Sequence, residues 1–139
     1  MLRKDFIVRQ AEEFGKFLGI LLALRKNGNW HELDALIRTS ASKYTSVEVE
    51  LTESFSDENF AQDLIKEYQL NGENLKMLGD LLYEKALFYL ENNNSDKAKN
   101  ALTKAFILFN HVKNNALDSE FSLDMHYKMQ TIKSMLSIK

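Results

Sequence analysis

The sequence predicts a single all-α domain. Three observations support this prediction: the 139-residue chain has no proline, it has only five glycines, and its apolar residues recur mainly at spacings of three and four. Proline and glycine are the residues that most often interrupt helices, so their scarcity favours long helices. A hydrophobic fraction of 45% in a chain of this length is enough to build one buried core.

The first helix is predicted from Asp5 to Lys26. Asp5 is a suitable N-cap because its carboxylate can accept hydrogen bonds from the amide groups of the first turn. The apolar stripe of this helix consists of Ile7, Ala11, Phe14, Leu18 and Leu21. A second apolar stripe consists of Phe17, Ile20 and Leu24. Gly28 in the sequence Asn-Gly-Asn suits the left-handed conformation that ends many helices.

The second helix is predicted from Trp30 to about Tyr44. The turn before it is short, so residues 1–44 should form an antiparallel helical hairpin. Trp30, the only tryptophan, is predicted to cover this turn. The alternative is that Trp30 is an exposed anchor for a partner.

Residues 45–56 are predicted to be an acidic extended connector. Its valines and leucine alternate with glutamates, as in a strand. A single strand would leave its backbone groups unpaired, so we expect an extended linker whose apolar residues pack onto the helices. Strand pairing across a dimer is the alternative. The segment 44–65 contains six acidic residues and no lysine or arginine; we interpret its charges as solvated, and an acidic docking segment is the alternative.

Residues 57–139 are predicted to form four further helices, which makes about six in all. The first of them should be short, capped by Ser56 and ended by Asn71-Gly72. The other three are expected at about 73–92, 96–113 and 119–137, separated by two asparagine-rich turns. Leucine-glycine pairs at Gly19 and Gly79 fall inside helices and should serve close packing.

The segment from Leu82 to Ala105 resembles a tetratricopeptide-type (TPR-like) helical hairpin. The positions that carry the resemblance are Leu82, Ala86, Tyr89, Ala98, Leu102 and Ala105. Ala86 and Ala98 are small enough for the two backbones to approach closely. The first hairpin is a weaker match, because Leu33 and Ser40 stand where small residues are usual. The resemblance implies a right-handed arrangement of antiparallel helical hairpins.

The whole chain also resembles a family of small, uncharacterised bacterial helical proteins. The resemblance rests on two short motifs and on the order of the segments. The motif residues are Asp5, Phe6, Ile7, Arg9, Gln10 and Glu12 near the start of the chain, and Leu24 and Arg25. An acidic connector and a TPR-like hairpin follow in the same order. This family implies the fold and no particular function.

The TPR-like resemblance implies an interaction groove, because arrays of this type bind extended peptides on the concave face lined by their first helices. The candidate groove residues are Leu18, Leu22, Arg25, Lys26, Asp80, Tyr83, Leu87, Leu90 and Glu91. The alternative is that the chain's own helices fill this groove, in which case Leu22 and Leu87 are ordinary core residues.

A candidate polar cluster lies at the start of the chain and consists of Asp5, Arg9, Gln10 and Glu12. The simpler interpretation is that Asp5 caps the first helix and forms an ion pair with Arg9 four residues later. If these side chains turned inward across the bundle, they would form a recognition site.

Several function classes are disfavoured. Cysteine is absent, no His-Glu-x-x-His pattern or phosphate-binding glycine loop occurs, and His31, His111 and His126 fall on different predicted helices. A net charge of −2 lacks the basic excess of a nucleic-acid-binding domain. The longest apolar run, residues 17–24, is far shorter than the ~20 residues of a membrane span. We therefore expect no catalytic residue, metal or cofactor, and a cytoplasmic location.

The sequence thus favours a non-enzymatic helical module that binds a protein, a peptide or its own copy, and neither nucleic acid nor membrane. The alternatives are a small-molecule-binding or enzymatic helical bundle with a polar cavity near the first helix, and a purely structural homodimer.

Overall fold

A computed structural model describes residues 2–115 and 123–137, apart from the side chains of residues 2–5 and 7. Within these residues the fold is all-α, as predicted, with seven α-helices where about six were predicted, and no strand. The helices are α1 (Leu2–Lys26), α2 (Trp30–Thr45), α3 (Val49–Thr52), α4 (Phe60–Tyr68), α5 (Gly72–Glu91), α6 (Ser95–Asn115) and α7 (Leu123–Ser137). No helix in the described ranges combines the length and apolarity of a membrane-spanning segment.

Helix α1 begins before the predicted boundary. Because it starts at Leu2, Asp5 lies inside the helix and is not its N-cap, which corrects the prediction. The other end is confirmed: Gly28 has a φ of 77°, and the Asn29 amide donates to the Leu24 carbonyl at 2.8 Å. The left-handed conformation of Gly28 lets the Asn29 amide reach this terminal carbonyl and reverses the chain into α2.

Helices α1, α2, α5, α6 and α7 pack in series. Each contacts the next along this order, and α1 also contacts α5. The short α3 packs on α2 and α5, and α4 packs on α6. In the order of the chain, α3 and α4 lie between two hairpins, α1–α2 and α5–α6.

The hairpin α5–α6 has the close packing expected from its small residues. Ala86, Ala98 and Ala105 are fully buried. Gly79 contributes as well, since a Cβ at this position would lie 2.7 Å from the Phe109 ring. Asn71 caps α5 by accepting a hydrogen bond from the Asn74 amide at 2.8 Å, in a reciprocal capping box.

The segment 45–56 is not extended throughout, which corrects the prediction of an extended connector. Ser46 adopts a left-handed conformation that ends α2, and residues 49–52 then form the one-turn α3. Val47 and Val49 are buried, as expected, whereas Leu51 is exposed. One helical turn satisfies backbone groups locally, so the segment needs no strand partner.

Ser56 does not cap the helix that follows. Its hydroxyl accepts a hydrogen bond from the Glu58 amide, and α4 begins four residues later, at Phe60. The start predicted for the last helix, at residue 119, lies outside the described residues. Trp30 is half-buried at the start of α2 and packs against the core, in agreement with a role in covering the turn.

Candidate interaction groove

An open cavity of about 350 Å³ lies between helices α1, α5 and α7, and we call it the α1–α5–α7 groove. Its lining residues are Leu18, Gly19, Leu22 and Arg25 on α1, Tyr83 and Glu84 on α5, and Asp124, Tyr127 and Lys128 on α7. Leu22 retains 38% and Tyr127 retains 68% of its accessible surface. The groove therefore offers apolar and aromatic surface above a floor of charged groups.

An ion pair crosses the floor of the groove between α1 and α5. Arg25 donates from Nε to Glu84 Oε1 at 3.1 Å and from Nη2 to Oε2 at 3.3 Å. The Glu84 side chain is only 5% exposed. A two-point contact of this kind holds both the distance and the orientation of the two helices.

A second set of charges joins α5 to α7. Lys128 Nζ donates to Asp80 Oδ1 at 2.8 Å and lies 3.3 Å from Asp124 Oδ2. Burial raises the pKa of Asp80, an effect that the neighbouring Lys128 opposes. Burial also raises the pKa of the Tyr83 hydroxyl. The cations at the groove are thus paired with carboxylates of the same chain.

Four of the nine predicted groove residues line this cavity: Leu18, Leu22, Arg25 and Tyr83. Asp80 lies beneath the groove, paired with Lys128. Leu87 is half-buried against the core, as its alternative interpretation expected. The other three, which are exposed and do not line the cavity, are Lys26, Leu90 and Glu91.

Five lining residues were not among the predicted ones. Gly19 and Glu84 lie on the helices already proposed, three positions before Leu22 and four positions after Asp80, so helical periodicity could have included them. The three residues from α7 had no such signal. The TPR-like resemblance assigns the groove to α1 and α5, and only the packing of α7 on α6 brings Asp124, Tyr127 and Lys128 beside them.

The candidate polar cluster does not contribute to the groove. Arg9 and Glu12 are exposed and Gln10 is half-buried, and the cavity is lined by other residues. The side chain of Asp5 lies outside the described part of the chain. The inward arrangement that would make this cluster a recognition site is therefore not found for Arg9 and Glu12.

Three of the six acidic residues of segment 44–65 are paired with other parts of the chain, which corrects half of the expectation of solvated charges. The other three, which are exposed, are Glu48, Glu58 and Asp63. Lys85 on α5, 1% exposed, donates to Asp34 on α2 and to Glu50 on α3, the latter at 2.8 Å. Arg38 donates to Asp34 at 2.9 Å. We call these four side chains the Lys85 network. Burial alone would raise the pKa of both carboxyl groups, but the hydrogen bonds from Lys85 hold both pKa values below their usual range.

Two more acidic residues of this segment have buried partners. Tyr89 donates a hydrogen bond to Glu53, and burial together with this bond raises the pKa of the tyrosine. Lys104, 3% exposed, donates to Asp57 at 2.9 Å and to Asn100 at 2.6 Å. These contacts fasten the acidic segment to α5 and α6, which leaves fewer free charges for a docking partner.

The three histidines lie on α2, α6 and α7, as predicted. His31 and His126 are exposed and His111 is half-buried. Over the described ranges, no group of three histidine, cysteine or acidic residues is arranged to hold a metal ion.

Comparison with known proteins gives no relative from which a function could be transferred. No protein-family model matches the chain, and neither a curated protein nor a solved structure matches it. The functional interpretation therefore rests on the geometry of the groove and on the residues that line it.

Proposed function

We propose that this chain is a non-enzymatic helical interaction module that binds an apolar segment of a protein partner in the α1–α5–α7 groove. The observation that carries the proposal is the exposure of Leu22 and Tyr127 in a concave site between three helices. Exposed apolar groups that converge on a groove are typical of binding surfaces.

The order of helix packing supports a TPR-like arrangement. In such arrays the first helix of each hairpin lines the concave face, and the second helices lie behind. In a TPR-like arrangement α1 and α5 would be first helices, α2 and α6 second helices, and α7, which packs on α6, a further first helix. The groove would then correspond to the peptide site of such an array.

The charges at the groove also favour a protein segment over a small charged ligand. Arg25 is held by Glu84, and Lys128 is held by Asp80. An anionic ligand would have to compete with these carboxylates. An apolar helix or peptide gains contact with Leu22 and Tyr127 and leaves both ion pairs intact.

Site-specific photo-crosslinking in the native cells tests the proposal. A photoreactive phenylalanine analogue replaces Tyr127, and a matched control replaces Lys99, which is exposed on α6. We expect a discrete crosslinked protein from position 127, none from position 99, and loss of the product when Leu22→Glu is added. Equal products from both positions, or a product that Leu22→Glu leaves unchanged, would disprove the groove as the binding site.

A further inference from the structure

Helix α1 has an outer apolar face beside the groove. Val8, Gly15 and Leu22 are spaced by seven and therefore lie in one row along the helix. Val8 is 49% and Leu22 is 38% exposed. Gly15 and Gly19 are exposed on the same side. Exposed apolar side chains continue onto α7, where Tyr127 borders the groove and Leu123 is 86% exposed.

The two glycines of this face serve no packing within the described chain. A Cβ added at Gly15 or Gly19 would meet no atom of the described residues within 4 Å. Gly79 differs, because the Phe109 ring fills the space above it. Glycine in a helix interior weakens the helix, and nothing in the described part of the chain offsets this cost at Gly15 and Gly19. For Gly19 this differs from the close packing expected from the sequence. Because neither glycine has a side chain, both would allow the backbone of another helix to approach closely.

Two charged residues on this face are complementary to each other. Glu12 and Lys26 stand seven residues before and seven residues after Gly19, and both are exposed. Neither forms an ion pair with any other described residue. If two copies of α1 crossed antiparallel at Gly19, each Glu12 would lie opposite the partner's Lys26. A two-fold axis would make this pairing twice.

We propose that the partner at this site is a second copy of the chain, bound through an antiparallel α1–α1 contact centred on Gly19. The proposal rests on the function proposed above and names the occupant of a surface that shares Gly19, Leu22 and Tyr127 with the groove. Gly15 then lies opposite the partner's Ala23, and small residues let the helices pack closely. A stable interface buries about 1,000 Å² or more in total; Leu22, Leu123 and Tyr127 supply apolar area beside the helix pair.

The first test measures the mass of the purified protein by light scattering over a concentration series. We expect a concentration-dependent rise to twice the 16.1 kDa of one chain. Gly19→Leu should remove the dimer because its side chain blocks the approach of the second helix. The same variant should keep or raise the thermal stability of the monomer, since leucine favours helix and the position is open. A dimer unaffected by Gly19→Leu would overturn the proposal.

Charge reversal tests the antiparallel register. Glu12→Lys and Lys26→Glu should each weaken dimerisation, by roughly two- to thirtyfold for two symmetric exposed pairs. The double variant E12K/K26E should restore it, because the reversed charges again lie opposite each other. Absence of this rescue would contradict the register.

A cysteine at Gly19 provides a third readout, because the natural sequence has no cysteine. Gly19→Cys should form an intermolecular disulfide rapidly under mild oxidation, and Gln62→Cys, an exposed control on α4, should not. A purified protein that stays monomeric and forms no such disulfide would overturn self-association. A different protein crosslinked at position 127 would still support the groove, so failure of the two proposals can be distinguished.

Discussion

Arg25 and Glu84 are 59 positions apart in the sequence and form a two-point ion pair at the floor of the groove, with N–O distances of 3.1 and 3.3 Å. The pair joins the first helix of one hairpin to the first helix of the next. It therefore sets the relative position of two helices whose exposed residues line the candidate binding surface. Its loss should affect the shape of the groove as well as the stability of the fold.

Replacement of Arg25 by methionine should destabilise the protein by about 1 to 3 kcal/mol, because Glu84 would remain buried without its partner. Urea denaturation measures this change. The double variant R25M/E84L should lose less than the single variant, since it leaves no unpaired carboxylate. Equal stability of Arg25→Met and the natural protein would show that water replaces Arg25 at no cost.

The Lys85→Met variant should lose more stability, by about 3 kcal/mol or more. This substitution removes the buried cation shared by Asp34 and Glu50 and leaves the two carboxylates with only the exposed Arg38 as counter-charge. Lys99→Met, an exposed change on α6, is the matched control and should be neutral. If both variants unfold at the same urea concentration, the Lys85 network does not hold the acidic segment in place.

Stability should fall in acid because of Asp34 and Glu50. Their folded-state pKa values lie below the ordinary values of 3.8 and 4.5. The ion pairs thus contribute fully above these ordinary values, and the contribution is lost as the pH falls through the lowered ones. Asp80 acts in the opposite direction. Because its pKa is raised in the folded state, its protonation as the pH falls stabilises the folded state relative to the unfolded state.

The Glu50→Gln variant separates these two effects. The urea midpoint is measured from neutral pH to below the ordinary pKa values of Asp34 and Glu50. It should decline less steeply for Glu50→Gln than for the natural protein. The variant lacks one of the two carboxylates with a lowered pKa and retains Asp80. Parallel pH profiles would argue against a stabilising role for the ionised Glu50.

Two glycine-to-alanine substitutions should have opposite effects on the monomer. Gly79→Ala forces a Cβ to within 2.7 Å of the buried Phe109 ring and should cost about 1 to 3 kcal/mol. Gly15→Ala meets no neighbour within 4 Å and should gain up to about 1 kcal/mol from helix propensity. Urea denaturation at a low protein concentration is needed, because unfolding of a dimer depends on concentration. Destabilisation by both would contradict the open environment of Gly15.

Local patterns predicted the all-α class, the start of α2 at Trp30 and the chain reversal at Gly28. They also predicted the burial of Ala86 and Ala98 in the hairpin α5–α6. These features depend on residues close in sequence: helical periodicity places apolar side chains on one face, and glycine adopts positive φ without steric cost. Another local pattern led to an error. The alternation of apolar and acidic residues in segment 45–56 indicated an extended chain, but part of the segment is helical.

The tertiary structure alone decided which charges are buried and which helices meet. No local pattern indicates that Lys85 and Lys104 are buried, because each depends on carboxylates more than 30 positions away. The same applies to Tyr127 on α7, which reaches the groove only when α6 positions that helix. A charged side chain can be buried only where the folded chain supplies its counter-charge. The sequence therefore determined the helices other than α3 and most of the apolar core, and tertiary packing determined the ion pairs and the groove.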